Sequence, residues 1–165
     1  MERVKRNQGV LVLKNFIASS LLCLSTLVSS AYIYEGNQSL IDLTNQTGTT
    51  NLNSGDDQLS AAFNLDNSFT FYGTAYDSAR MATNGCLHFG LGTGNVNYNN
   101  YCGDYTPDPL PQYTNTMFVF WTDLIRDSDS KMLAKNFNDK AVFGWYDLKE
   151  YNRASDNSFE VILWN

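Results

Sequence analysis

The sequence predicts an all-β fold, an antiparallel β-sandwich-like domain with long loops, preceded by a signal peptide. Three observations support this prediction. Short β-prone runs are separated by Gly, Asn and Pro turn signals. Asn84-Gly85, a strong signal for a two-residue hairpin, stands between two of these runs. No stretch of about twelve residues after the first 31 shows helical periodicity. With 43% apolar residues in a chain of 165, one domain with a substantial core is expected.

The N-terminal segment has the three parts of a secretory signal. Basic residues lie within positions 3–14, an apolar stretch follows at 16–28, and Ser29 and Ala31 place small side chains at −3 and −1 of a cut after Ala31. The apolar stretch is about 13 residues long, shorter than the ~20 that a transmembrane helix needs. We therefore predict a signal peptide at 1–31. The alternative is an N-terminal anchor that is not cleaved.

The segment 32–57 is predicted to be a polar lead-in or loop, because Asn, Gln, Thr, Ser and Gly dominate it. The β-domain is then expected at 58–165. Its first runs are 59–65 with 69–72, and then 80–83 with 86–89 around the Asn-Gly turn. A Gly/Asn-rich loop follows, and three prolines at 107, 109 and 111 predict an extended connection.

The second half of the chain continues the strand pattern. The run MFVFW at 117–121 predicts a strand that is buried on both faces. Further strands are predicted at 131–137, 141–148 and 158–164, and the last of these alternates apolar residues at period two. Because the sequence stops at Asn165, directly after this strand, we expect a domain that is truncated at its C-terminus.

Charge excludes one class of partner. Of 11 basic and 17 acidic residues, four basic and one acidic lie within 1–31, which leaves seven basic and 16 acidic residues in 32–165. A polyanion would be repelled by such a chain, and no basic run opposes this repulsion. We therefore expect no nucleic-acid partner. We also expect no membrane insertion after signal cleavage, because no other segment is long and apolar enough.

Two cysteines, Cys86 and Cys102, remain beyond the signal, and in an oxidising compartment an even number predicts a disulfide bond. The bond would close a loop of about 16 residues, worth ~3 kcal/mol. The alternatives are a metal pair or a reactive thiol. There is no Cys-x-x-Cys spacing, and His88 is the only histidine. This inventory cannot build a zinc site or a His-dependent catalytic unit, so no catalytic residue and no cofactor is predicted.

Carboxylates and aromatic rings are the remaining candidates for a site. Asp123, Asp127 and Asp129 follow the MFVFW run and are weak candidates for calcium ligands, although the same Asp/Ser tract also suits a plain turn. Acid pairs for glycoside hydrolysis would come from Asp104, Asp108, Asp123 and Glu150.

Four tyrosines crowd the Gly/Pro-rich region and are candidate ligand contacts: Tyr98, Tyr101, Tyr105 and Tyr113. Their rings would stack on sugars or anchor a protein partner. Alternatively, they cover the edge of the core.

Several segments, in order, resemble the NIDO domain, a family of nidogen-like extracellular domains. They are FTFYG (69–73), ATNGCLHFG (82–90), PLP (109–111) followed by FVFWTD (118–123), VFGWY (142–146) and NSFEVIL (157–163). The resemblance covers about residues 63–164. Three features depart from the family pattern: the two cysteines are not part of it, 133–137 matches it only loosely, and the family's last strands are missing.

The resemblance implies a non-enzymatic role in cell–matrix or cell-surface adhesion and protein interaction, and it carries over no catalytic residue. The alternatives are a secreted β-domain that binds or cleaves carbohydrate, and a structural surface-layer component. For all three, the expected location is outside the cell or at its surface, with a protein or glycan as partner.

Overall fold

The structure is a computed structural model that describes residues 8–14, 31–34, 39–90 and 115–165. The predicted all-β fold is confirmed, since within these ranges the chain forms strands and a single 3₁₀ turn at Leu43–Asn45. The strands are β1 (Gln8–Lys14), β2 (Ala31–Tyr34), β3 (Thr50–Asn51), β4 (Phe63–Phe71), β5 (Thr74–Ala82), β6 (Cys86–Phe89), β7 (Thr116–Phe118), β8 (Leu124–Ile125), β9 (Lys131–Phe137), β10 (Lys140–Glu150) and β11 (Asn157–Trp164).

The strands form two sheets. The larger sheet has the order β2-β1-β11-β10-β9-β3, with β8 paired to the C-terminal end of β10. The smaller sheet has the order β4-β5-β6-β7. Neighbouring strands are antiparallel, except that β1 runs parallel to β11. The core lies between the sheets and draws on both of them.

Period-two alternation places one face of strands such as β4, β10 and β11 in this core. On β11, Phe159, Val161 and Leu163 point inward and are buried, as their spacing predicts. Trp145 of β10 is fully buried, and its indole Nε1 donates a hydrogen bond to the carbonyl oxygen of Ala82 on β5, 2.9 Å away. One side chain therefore ties the backbones of the two sheets together.

A hairpin at Asn84-Gly85 is confirmed, but the prediction of a two-residue turn is wrong, since the three residues at 83–85 connect the strands. Ala82 pairs with Cys86, and the Gly85 amide donates back to the Ala82 carbonyl oxygen at 3.1 Å. Gly85 has φ +73°, which favours glycine. A β-carbon at Gly85 would lie 2.2 Å from the carbonyl oxygen of Phe120, so the chain at 119–120 packs directly on the turn.

The prediction of one continuous strand at 117–121, buried on both faces, is wrong. Strand β7 ends at Phe118, and residues 118–121 are half-buried. The reason is the turn just described: the amides of Val119 and Phe120 both donate to the carbonyl oxygen of Gly85, at 3.0 and 3.1 Å, and this bends the chain away from the sheet. Among the described strands, β7 is an edge strand with one neighbour, β6.

From residue 39 onward, the polar lead-in is mostly irregular and packs on the outer face of the larger sheet. Leu43 is buried there with Val142 and Ile162. Strand β3 pairs with β9, and Leu52 joins the main core.

Strands β1 and β2 fall at the predicted signal. Gln8–Lys14 lies inside 1–31, and Ala31–Tyr34 spans the predicted cut. The cleavage itself stays a prediction. In the ranges that the structure describes, no helix has the length and apolar character needed to span a bilayer.

Candidate functional site

An aromatic group lies where the β4–β5 hairpin meets the end of β6. It consists of Phe69, Phe71, Tyr72, Tyr76 and Phe89, and is called the aromatic end below. The ring of Phe89 lies 5.5 Å from Phe69, 4.7 Å from Phe71 and 5.6 Å from Tyr76, measured between centroids. These contacts pack the hairpin against the end of β6 within the smaller sheet.

Tyr72 stands at the tip of this hairpin. Its side chain is 77% exposed, and its φ of +46° is followed by +82° at Gly73, the positive pair that a tight hairpin turn requires. Asn or Asp suits the first of these positions best, because a bulky residue with positive φ carries strain. An exposed aromatic ring held in a strained conformation is a feature typical of contact sites. Sequence reasoning missed it, although the Tyr-Gly pair between two β-prone runs was the available signal.

The four predicted contact tyrosines, Tyr98, Tyr101, Tyr105 and Tyr113, lie outside the described residues. The residues that flank their segment are described. Gly90 and Asn115 lie together at the aromatic end, because the Phe89 amide donates to the Asn115 carbonyl oxygen and the Gly90 amide donates to Ser78, each at 2.8 Å. Gly90 and Asn115, the two residues that flank the tyrosine-rich segment, therefore lie near Tyr76 and the hairpin that carries Tyr72.

A second group, of carboxylates, lies at the opposite end of β6. The Asn84 side chain donates to Asp57 at 2.6 Å and accepts from the Leu124 amide at 3.0 Å, which brings Asp57 near Asp123. Partial burial raises the pKa of the Asp123 carboxyl, and the neighbouring charges of Asp57 and Asp56 add to this effect. The five residue steps from Gly85 to Gly90 span about 17 Å of strand, so this acidic group is well separated from the aromatic end.

The calcium candidates do not gather at one point. Asp127 closes its own turn, since its Oδ1 accepts hydrogen bonds from the Asp129 amide at 3.0 Å and from the Ser130 hydroxyl at 2.9 Å. Its other oxygen lies 2.6 Å from the Lys149 ammonium group. Hydrogen bonds from Lys149 and Ser130 hold the pKa of Asp127 well below its ordinary value.

Asp123 interacts instead with the group around Asp57. Among the described residues, no group of three or more His, Cys, Asp or Glu side chains is arranged to hold a metal ion.

The two residues discussed for redox or acid–base chemistry are both buried in β6. Cys86 is fully buried, and Cys102 lies outside the described residues, so their disulfide stays a prediction. His88 is 4% exposed, and its Nδ1 lies 3.2 Å from the Thr116 hydroxyl on β7. A buried histidine that is hydrogen-bonded between two strands belongs to the sheet, not to an open cleft.

The buried carboxylate of Glu160, on the outer face of the larger sheet, holds the polar lead-in (residue 39 onward) by hydrogen bonds. Glu160 is completely buried: one carboxylate oxygen accepts from the Tyr146 hydroxyl at 2.5 Å and the other from the Ile41 amide at 2.9 Å. Tyr146 in turn accepts from the Leu43 amide at 3.0 Å. Burial raises the pKa of the Glu160 carboxyl. The period-two alternation in 158–164 places Glu160 on the face opposite the main core, but it does not indicate this structural role.

The comparisons with known proteins agree with this architecture. The family model described as NIDO related matches residues 32–165, which is all of the chain after the predicted cut. No curated protein and no solved structure was found to match the chain. Because the family match covers well over half of the sequence, the chain belongs to the NIDO-related family, a family of extracellular type.

Proposed function

We propose that this protein is a non-enzymatic extracellular domain for adhesion and protein interaction, exported by the segment 1–31. The observation that carries the proposal is the NIDO-related match, which begins at residue 32, directly after the predicted cleavage position. A family domain that starts where a leader ends is expected of an exported protein whose mature part begins with that domain.

The aromatic end is the proposed contact surface. It combines the exposed, strained Tyr72 with the two points where the tyrosine-rich segment joins the fold. Aromatic residues supply large contact area with few rotatable bonds, and they are enriched at the energetic centres of interfaces. A protein or a glycan surface is the partner that fits such a group.

The test begins with secretion of the full-length chain, carrying a C-terminal tag, from a cell that processes signal peptides. N-terminal sequencing of the secreted product should give Tyr32 as the first residue. This product is then applied to arrays of extracellular-matrix proteins and glycans and to whole cells. Retention inside the cell, or the absence of any ligand across all three, contradicts the proposal.

Two exposed tyrosines provide a matched pair of variants. Tyr72→Asn removes the ring but keeps a residue that tolerates positive φ, so the hairpin is retained. Tyr151→Asn removes a ring that is 55% exposed next to Asp123, at the acidic end of β6. Binding should fall in the first variant and persist in the second. Equal binding by both variants would remove the aromatic end as the contact surface.

The alternative is a secreted β-domain that binds or cleaves carbohydrate, which the exposed ring of Tyr72 and the partly buried carboxylate of Asp123 favour. Release of reducing sugar that is abolished by Asp123→Asn would establish cleavage. Glycan binding without turnover, lost in Tyr72→Asn, would establish a lectin-like module. Weak calcium binding at Asp123, Asp127 and Asp129 stays a prediction that calorimetric titration with calcium chloride checks.

A further inference from the structure

Glu160 is a completely buried carboxylate that takes no part in the contacts of the candidate site. It lies on β11 opposite Gly144 of β10, and its hydrogen-bond donors are neutral: the Tyr146 hydroxyl at 2.5 Å and the Ile41 amide at 2.9 Å. Within the part of the chain that the structure describes, no Lys or Arg side chain forms an ion pair with it. The neighbouring charge of Asp42 is also negative, so the carboxylate lies in a site without a compensating cation.

Gly144 gives the Tyr146 ring the room to reach this carboxylate. A β-carbon at Gly144 would lie 2.3 Å from the Tyr146 hydroxyl oxygen and 2.4 Å from its Cζ. The ring therefore lies along β10 across the glycine, with its hydroxyl beside Glu160 on the neighbouring strand. Burial and the charge of Glu160 raise the pKa of Tyr146, so the hydroxyl remains protonated and is available as a donor.

The lead-in segment 39–49 covers apolar side chains of the larger sheet. Leu43 is 1% exposed and packs there with buried residues of three strands: Leu133, Val142 and Ile162. The Leu43 amide donates to the Tyr146 hydroxyl at 3.0 Å, and the Ile41 amide donates to Glu160 itself. The polar attachment of the segment at 41–43 therefore passes through one carboxylate and the hydroxyl bonded to it.

Burial makes a charge on Glu160 costly while the segment is closed. A carboxylate that is removed from water without a cation loses solvation that neutral donors restore only in part. When the segment lifts, water reaches the carboxylate and this cost disappears. Burial accordingly raises the pKa of the Glu160 carboxyl and the charge of Asp42 adds to this effect, whereas the hydrogen bonds from Tyr146 and from the amides at 41–42 oppose it.

The neutral acid can keep both of its hydrogen bonds. A protonated carboxyl group is a donor as well as an acceptor, and so is a hydroxyl group. Glu160 can therefore donate to the Tyr146 oxygen while its other oxygen still accepts from the Ile41 amide. Protonation thus removes the buried charge without releasing the segment.

We infer that the lead-in segment 39–49 is a pH-sensitive strap, closed over the larger sheet when Glu160 is protonated and opened when Glu160 ionises. Opening uncovers Leu133, Val142 and Ile162, which are 7%, 0% and 6% exposed in the closed state. Because the pKa of Glu160 is raised in the closed fold, its contribution to closure is present below the ordinary value of 4.5 and is lost as the pH rises through the folded value. This inference is independent of the export proposed above.

The other charged groups at the strap keep their charge over this range. Hydrogen bonds from Thr44 and Asn45 lower the pKa of Asp42, so Asp42 is ionised throughout. On β9, Lys131 acts on Asp42 and Lys135 donates to a carbonyl of the strap, and lysine ammonium groups titrate only near pH ~10. On the other side of β11, β1 places the uncharged Val10 opposite Glu160.

The experiment follows amide hydrogen exchange of the full-length chain by NMR, from the ordinary Glu value of 4.5 up to about pH 8. Each rate is divided by the intrinsic rate of the unfolded sequence at the same pH, which gives the opening constant of the strap without the effect of base catalysis. Carbon-13 NMR of the Glu160 carboxyl group measures its pKa directly. Glu160→Gln fixes the neutral form, and Asp127→Asn is the matched control, since Asp127 pairs with Lys149 and not with the strap.

The opening constant at Ile41 and Leu43 should rise with pH, by about tenfold for each unit by which the pKa of Glu160 exceeds 4.5, and should then level off. It should stay flat in Glu160→Gln and rise as in the unaltered protein in Asp127→Asn. The amides of β5 (Thr74–Ala82) should show no such rise, because the sheets stay together.

Four results would overturn the inference: an opening constant that does not rise with pH, the same rise in Glu160→Gln, an equal rise in β5, or a Glu160 pKa below 4.5. An equal rise in β5 would mean that the whole fold opens and not the strap alone. If Glu160→Gln does not fold, the carboxyl titration and the pH series of the unaltered protein still decide the question.

Discussion

Replacing Gly85 with alanine tests the turn on which the chain between β7 and β8 is folded. Gly85 has φ +73°, and its carbonyl oxygen accepts hydrogen bonds from the amides of Val119 and Phe120. A β-carbon there would lie 2.2 Å from the Phe120 carbonyl oxygen and 2.8 Å from its carbonyl carbon. Backbone atoms cannot move aside as the end of a flexible side chain can, so the segment at 119–120 must shift.

The expected loss of stability has two parts. Alanine in the left-handed region costs about 1–2 kcal/mol. Displacement of Val119 and Phe120 breaks or weakens two hydrogen bonds, each worth about 0.5–1.5 kcal/mol. The free energy of unfolding should therefore fall by roughly 2–5 kcal/mol in Gly85→Ala, before any disturbance of the core is counted.

Gly48→Ala is the matched control. Gly48 has φ +74°, nearly the same as Gly85, but nothing lies within 4 Å of the β-carbon position. This variant should lose only the conformational part, about 1–2 kcal/mol. Urea unfolding followed by circular dichroism measures both. Equal losses in the two variants would refute the close packing of Phe120 on the turn.

Three further changes test other contacts. Tyr146→Phe removes the hydroxyl that donates to Glu160 and accepts from the Leu43 amide, so the free energy of unfolding should fall by about 2–4 kcal/mol. Hydrogen exchange of the backbone amides at 39–46 should become faster. Unchanged exchange there would contradict the conclusion that these hydrogen bonds hold the lead-in on the sheet. Because the folded-state pKa of Asp127 lies below its ordinary value of 3.8, its ion pair stabilises the fold above that pH and is lost as the pH falls through the folded pKa. The Asp127→Asn variant should therefore unfold with about 1 kcal/mol less free energy at pH 7, and its stability should fall less steeply than that of the unaltered protein as the pH is lowered. Parallel curves of stability against pH for the two proteins would argue against this ion pair. Reduction of the secreted protein should lower stability by ~3 kcal/mol if Cys86 and Cys102 are bonded, whereas alkylation of both thiols without reductant would disprove the bond.

Local signals in the sequence predicted much of the fold. Asn84-Gly85 gave the hairpin, and the period-two spacing in 158–164 gave the buried face of β11. The strand at 117–121 was mispredicted because its end depends on amides that turn toward Gly85, which is 34 residues or more earlier in the chain. The apolar run itself does not indicate which backbone carbonyl will accept hydrogen bonds from those amides.

The candidate site was predictable only in part. The tyrosine-rich segment was visible in the sequence, but its attachment beside the hairpin that carries Tyr72 depends on the pairing of Gly90 with Ser78, which no local pattern encodes. The calcium candidates were grouped because they are close in sequence. The fold separates them, since Asp127 forms an ion pair with Lys149, whereas the hydrogen bond from the Leu124 amide to Asn84 places Asp123 near Asp57, whose negative charge repels it.

The indole that joins the two sheets has a spectroscopic consequence. Trp145 has no solvent exposure and donates to a carbonyl of the facing sheet, whereas Trp121 and Trp164 are half-buried. Its fluorescence should therefore be blue-shifted and poorly quenched by acrylamide while the sheets stay together. Local fraying at the end of β11 would change Trp164 first. The emission maximum of Trp145 therefore reports whether the two sheets remain packed against each other.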